Sequence, residues 1–214
     1  MSTMSLRAWQ QTYKDPKTLI VQASKKDGSD GWTHFPIGMG YQYVTYFQGN
    51  QGWQIGSHEK TLLSAFVPIR DSRRRPAGMN RQRILFNLQR NGIQNQTLPG
   101  NLFFDSLPSY KFIISPEGNG IDCHRHYEAL LAGCIPIIEE NPLIREKYLG
   151  CPILFTKDYS EITFDFLEKT YDDMLDQTYD FSRLFLSYYS SEQQEEAKAN
   201  GNYWVQRLCS KAWY

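Results

Sequence analysis

One stretch constrains this chain more than any other: residues 110–140, YKFIISPEGNGIDCHRHYEALLAGCIPIIEE. Residues 110–114 form a short apolar run of strand length. The run Ser115, Pro116, Glu117, Gly118, Asn119, Gly120 breaks it with two glycines and a proline. Asp122 has the chemistry of an N-cap, and the helix it opens is predicted to end at Gly133. Residues 135–138 are a second apolar strand. Two strands joined through a helix predict a βαβ unit, with a parallel pair and a right-handed crossover.

The polar residues of this unit fall where a ligand would sit. Tyr127, Leu130, Leu131 and Cys134 recur at helical spacing and are predicted to face the sheet. Asp122, Arg125 and Glu128 share a different face near the helix start. A helix N-terminus carries partial positive charge and free N–H groups, which suit a phosphate. Arg125 adds a planar fork of donors there, and Glu128, one turn deeper, suits a ribose diol. With Glu117, Gly118, Asn119 and Gly120 these residues predict a nucleotide cradle at the carboxyl edge of a parallel sheet.

The pattern made by Lys111, Phe112, Ser115, Pro116, Gly118, Gly120, Asp122, Arg125, Glu128, Ala129, Leu130, Gly133, Cys134, Ile135 and Pro136 resembles the donor-binding half of exostosin-type glycosyltransferases. Those enzymes have the GT-B architecture. The resemblance spans residues 60–165, and residues 32–40 (WTHFPIGMG) resemble the turn that precedes the donor half in that family. It implies a nucleotide-sugar donor, commonly a UDP-sugar, with Arg125 on the diphosphate and Glu128 on the ribose. It further implies transfer to a hydroxyl of a glycan or glycoconjugate acceptor, with inversion. No DxD triplet is present, which disfavours the metal-dependent GT-A type. The diphosphate charge then falls to fixed positive groups, with no metal and no further cofactor.

Alternation of predicted elements between residues 62 and 155 extends the βαβ unit into a Rossmann-like α/β domain, its sheet covered on both faces. Strands are expected at 18–23, 62–67, 135–138 and 152–155, with an edge strand at 93–98. Helices are expected at 80–91, 102–107 and 142–148, and the chain is expected to turn helical from residue 159, with a last helix from Ser190 or Ser191. This divides the chain into a short N-terminal region (1–58), a nucleotide-sugar-binding domain (59–180) and C-terminal helices (181–214).

At 214 residues the chain is short for a two-domain transferase. Three arrangements fit: a minimal enzyme, a donor-binding subunit of a split enzyme with a separate acceptor-binding subunit, or part of a longer chain. A non-catalytic carbohydrate-related binding protein is the alternative from another class. A formal net charge of zero argues against a nucleic-acid binder. No apolar run approaches the roughly 20 residues of a transmembrane segment. The four cysteines form no CxxC pair and read as reduced thiols. A cytoplasmic protein, or a soluble domain of a larger chain, is expected.

Between Arg70 and Arg90 lie seven arginines and one acid, Asp71. This is either a clamp for the diphosphate, with Arg81 the favoured residue, or a solvated basic loop. Glu139 and Glu140 end a strand at the same sheet edge and suit either a sugar contact or a helix N-terminus. His34 suits a general base, an acceptor contact or a structural role. Cys123, His124 and His126 do not share a helix face, and no second cluster completes a metal site. Cys123 at a helix start is read as a packing residue rather than a nucleophile.

Overall fold

The computed structural model describes residues 3–5, 20, 23, 35–40, 42–43 and 58–200. In chain order the elements are β1 (Thr3–Ser5), β2 (Lys60–Leu63), α1 (Arg81–Arg90), α2 (Gly100–Ser106) and β3 (Tyr110–Ile114). There follow α3 (His124–Leu131), β4 (Ile135–Glu139), α4 (Pro142–Lys147) and β5 (Leu154–Thr156). The last are α5 (Phe164–Leu175), β6 (Thr178–Asp180) and α6 (Ser191–Asn200). Residues 18, 19, 21 and 22 of the strand expected at 18–23, His34, and 201–214 lie outside the described residues.

Strands β2, β3, β4 and β5 stand side by side in sequence order, all parallel. This is the Rossmann-like α/β architecture expected. Phe112 sits opposite both Leu62 and Ile135, and Ile137 opposite Leu154. Every residue of β4 is buried, as the near-continuous apolar run of a central parallel strand requires. Strands that step one way carry their right-handed crossovers over one face. Helix α5 comes back to β2, and its Tyr171 meets Phe112 of the neighbouring β3 edge-on at 5.9 Å. The loops after β2, β3, β4 and β5 therefore gather at one carboxyl edge.

Helix ends follow local chemistry. The Asn80 side chain caps α1 by accepting from the Arg83 N–H at 3.0 Å, and Ile84 and Leu88 turn inward. Helix α3 closes as its sequence predicts: Gly133 takes φ +74°, and the Cys134 N–H returns to the Ala129 carbonyl at 2.9 Å. Its start is a correction. The N-cap position is Cys123, not Asp122, because the Asp122 carboxylate is engaged elsewhere.

Two further expectations change. The first sheet strand stops at Leu63. Beyond it, Asn95 takes a strand neighbour's place: its side chain accepts from the Phe66 N–H at 3.0 Å and donates to the Phe66 carbonyl at 2.8 Å. Residues 93–98 are thus latched alongside the chain without a regular ladder. Past α5 the chain does not stay helical. Thr178–Asp180 forms β6, antiparallel to β1, and two 3-10 turns then bury Leu184, Phe185 and Leu186. Among the described residues no helix is long and apolar enough to cross a membrane.

Candidate functional site at the carboxyl edge of the sheet

In the arginine-rich loop after β2, Arg74 and Arg75 are neutralised by acids, while Arg70 and Arg73 are exposed. Asp71 accepts from Arg75 Nε at 2.8 Å and from the Arg81 N–H at 3.0 Å. Arg75 Nη2 reaches Glu139 at 3.0 Å, and Glu117 pairs with both Arg74 and Arg75. The Glu139 carboxylate also accepts from the Glu117 N–H at 3.1 Å and the Tyr159 hydroxyl at 3.0 Å. Burial pushes the Glu139 carboxyl above the usual range, against the pull of Arg75. Three acids, with Arg74, Arg75 and the Arg81 backbone N–H, thus fasten the loop after β2 to the loop after β3 and to the end of β4. Glu140, by contrast, is exposed and pairs with Arg145.

Arg81, the residue favoured as a diphosphate clamp, sits inside this framework. Its Nε donates to the Glu117 carbonyl at 2.7 Å, Nη2 to Pro116 at 2.9 Å and Nη1 to Val67 at 3.3 Å. It shapes the loop from beneath. Gly118 passes directly over it: a Cβ there would lie 3.1 Å from Arg81 Nη2.

Three side chains at the start of α3 hold residues 37–40 in place. Asp122 accepts from the Ile37 N–H at 2.8 Å and from the Tyr148 hydroxyl at 2.8 Å, with Lys147 at 3.4 Å. His124 Nδ1 donates to the Gly38 carbonyl at 2.9 Å. Glu128 Oε1 accepts from the Gly40 N–H at 2.9 Å. Asp122 is therefore a tie between segments, with both oxygens engaged. Glu128 keeps one oxygen without a donor among the described residues, and burial raises its pKa. Glycine is required at 38, where φ is +76° and a Cβ would lie 2.4 Å from the Ile20 carbonyl oxygen.

Arg125 is different. Its Nε is shut away from solvent with no hydrogen-bond partner, and its guanidinium makes no hydrogen bond or ion pair among the described residues. It lies over the Phe103 ring at 4.8 Å. Burial, reinforced by nearby Arg81 and opposed by the Glu128 carboxylate, pulls its pKa down from 12.5 to about 10. Beside it, no backbone N–H from Asn119 to Arg125 donates a hydrogen bond to a described residue. Asn119 is exposed and Gly120 half-buried, so the loop stays open to a ligand there. Toward β5 an open, shallow cleft of about 450 Å³ is lined by Glu140, Phe155, Thr156, Lys157, Asp158, Ser160 and Glu161; it includes none of residues 117–128.

The remaining chemistry-bearing side chains are structural. His126 is fully buried between the Ser115 hydroxyl at 2.7 Å and the Ile121 carbonyl at 3.3 Å, and burial drops its pKa to about 4. His58 is held by the Tyr171 hydroxyl and the Gly133 carbonyl, with its pKa likewise near 4 through burial. Burial lifts the Cys123 thiol to about 12, which removes it as a nucleophile at neutral pH. No group of three or more His, Cys, Asp or Glu among the described residues is arranged to hold a metal.

Arg75, Tyr159 and His124 are the residues that sequence reasoning passed over. Arg75 was one of seven equivalent arginines. Tyr159, with φ +63°, reads as an ordinary turn aromatic. His124, beside Cys123 and His126, reads in sequence only as a metal-ligand candidate. No family model matches the chain, and no curated protein matches it.

Proposed function

We propose that this chain is a glycosyltransferase of the GT-B type, and that it holds a nucleotide-diphosphate sugar, with a UDP-sugar favoured, over residues 117–125. The observation that carries this reading is the Arg125 guanidinium, a partly sealed cation without an acceptor at the opening of a helix. A buried donor left unpaired costs about 1–3 kcal/mol. A diphosphate supplies the missing acceptors in bidentate form. The uncommitted N–H groups from Asn119 to Arg125 add donors of the kind that bind phosphate at helix N-termini. Glu117 and Gly118, propped by Arg74 and Arg81, set the loop's shape, and the spare Glu128 oxygen accepts from the ribose.

In this reading an acceptor hydroxyl attacks the anomeric carbon as the bond to the diphosphate breaks. The charge developing on the leaving group falls to Arg125 and the start of α3, fixed in place before the reaction. Because those groups carry the charge, the step runs without a metal ion. A thermal-shift panel of UDP, GDP, dTDP and CMP sugars tests the reading, and one nucleotide is expected to raise Tm. A flat response to all of them refutes it. Transfer is expected to persist in excess EDTA; activity lost to the chelator and restored by Mn²⁺ rejects the metal-free step.

A further inference from the structure

The reaction needs a group to take the acceptor's proton, and we infer that this group is His124; the inference rests on the glycosyl-transfer reading above. A backbone carbonyl can only accept, so the 2.9 Å contact to Gly38 fixes the proton on His124 Nδ1. In the neutral ring, Nε2 then carries the lone pair. That nitrogen has no partner among the described residues and is not sealed off, and the side chain is half-buried. His58 and His126 have both ring nitrogens engaged inside the protein. Of the described histidines, His124 alone has a nitrogen free for a substrate.

Its surroundings suit a base. Glu128, one turn along the same helix face, attracts the imidazolium that proton uptake creates. Arg125, next in sequence, holds the diphosphate on the proposed reading, so both halves of the displacement are served from adjacent positions. The segment packed on the ring, residues 37–40, brings no titratable side chain. Gly40 runs close against this pair: a Cβ there would sit 3.1 Å from Glu128 Oε1 and in ordinary contact, 3.5 Å, with the His124 Cγ. The acceptor O–H proton moves to His124 Nε2, the acceptor oxygen bonds to the anomeric carbon, and the electron pair of the anomeric C–O bond leaves with the diphosphate.

Two measurements on the full chain test this. Nitrogen-15 spectra of the histidine rings are expected to show the neutral His124 ring protonated at Nδ1 and bare at Nε2; the opposite tautomer overturns the proposal. His124→Gln is expected to keep donor affinity within about threefold, to lower kcat by about 10²–10⁴, and to erase the acid limb of the wild-type pH profile. Unchanged kcat with the acid limb intact overturns the base and leaves donor binding standing. Donor affinity lost in the variant also overturns it, making His124 a binding residue. A wild-type chain that binds no nucleotide-sugar overturns the transferase reading and the base with it.

Discussion

Replacing Arg125 by methionine should strengthen the empty protein and disable the site. The two effects have opposite signs, which makes the test sharp. In the folded chain the Arg125 pKa falls from 12.5 to about 10, so burying the charged form costs about 3 kcal/mol, at about 1.4 kcal/mol per pKa unit. Methionine removes that cost together with the orphaned Nε. It also removes the cation–π contact with Phe103, worth about 0.5–2 kcal/mol, and returns part of it through sulfur–ring packing. The net expectation is a gain of about 1–2 kcal/mol. For a chain of this size each kcal/mol moves Tm by about 2–4 °C, so the variant should melt about 2–8 °C higher. The wild type saturated at 100 times Kd should gain about 2.7 kcal/mol, and the variant should show no ligand-induced gain. Differential scanning fluorimetry with and without nucleotide reads both. A variant that melts lower than wild type, or still responds to nucleotide, refutes the assignment of Arg125 as an anion-binding cation.

Glu128→Gln keeps an acceptor for the Gly40 N–H but removes the carboxylate charge. Calorimetry should show nucleotide affinity down by about 10–100-fold, the worth of a charge-assisted hydrogen bond; equal affinity removes the ribose contact. Acid should expose the buried histidines. His58 and His126 titrate near pH 4 when folded and near 6.5 when unfolded, so the unfolded state binds more protons between those values. Stability is therefore present above pH 6.5 and lost as pH falls toward 4, by at most about 3 kcal/mol per ring. The raised carboxyls of Glu128 and Glu139 titrate in the opposite sense, so the contrast is best read against His126→Gln. Denaturant melts should show its acid loss smaller by about 3 kcal/mol, and parallel curves would show that the ring is not buried neutral.

What was legible beforehand was local. Residues 110–114 and α1 were readable because apolar runs and Asn80–Gly92 punctuation act over a few positions. The parallel sheet followed from their alternation. The roles of Asp122 and Glu128 were not readable, because the amides of Ile37 and Gly40 that engage them lie 85 and 88 positions away. Arg81 and Arg75 looked alike in sequence. Only tertiary packing sends one to backbone carbonyls and the other to Glu139. The reading of 181–189 as helical went wrong because its aromatic spacing serves burial in 3-10 turns as well as in a helix. His34 lies outside the described residues.

The short ladder between Thr3–Ser5 and Thr178–Asp180 sets the order of events during biosynthesis. Thr3–Ser5 leaves the ribosome long before its partner Thr178–Asp180. At about 5–20 residues per second it waits on the order of ten seconds for that partner, while the central sheet is free to assemble between them. Closing so distant a contact is slow, so this ladder should be among the last parts of the chain to become protected from exchange.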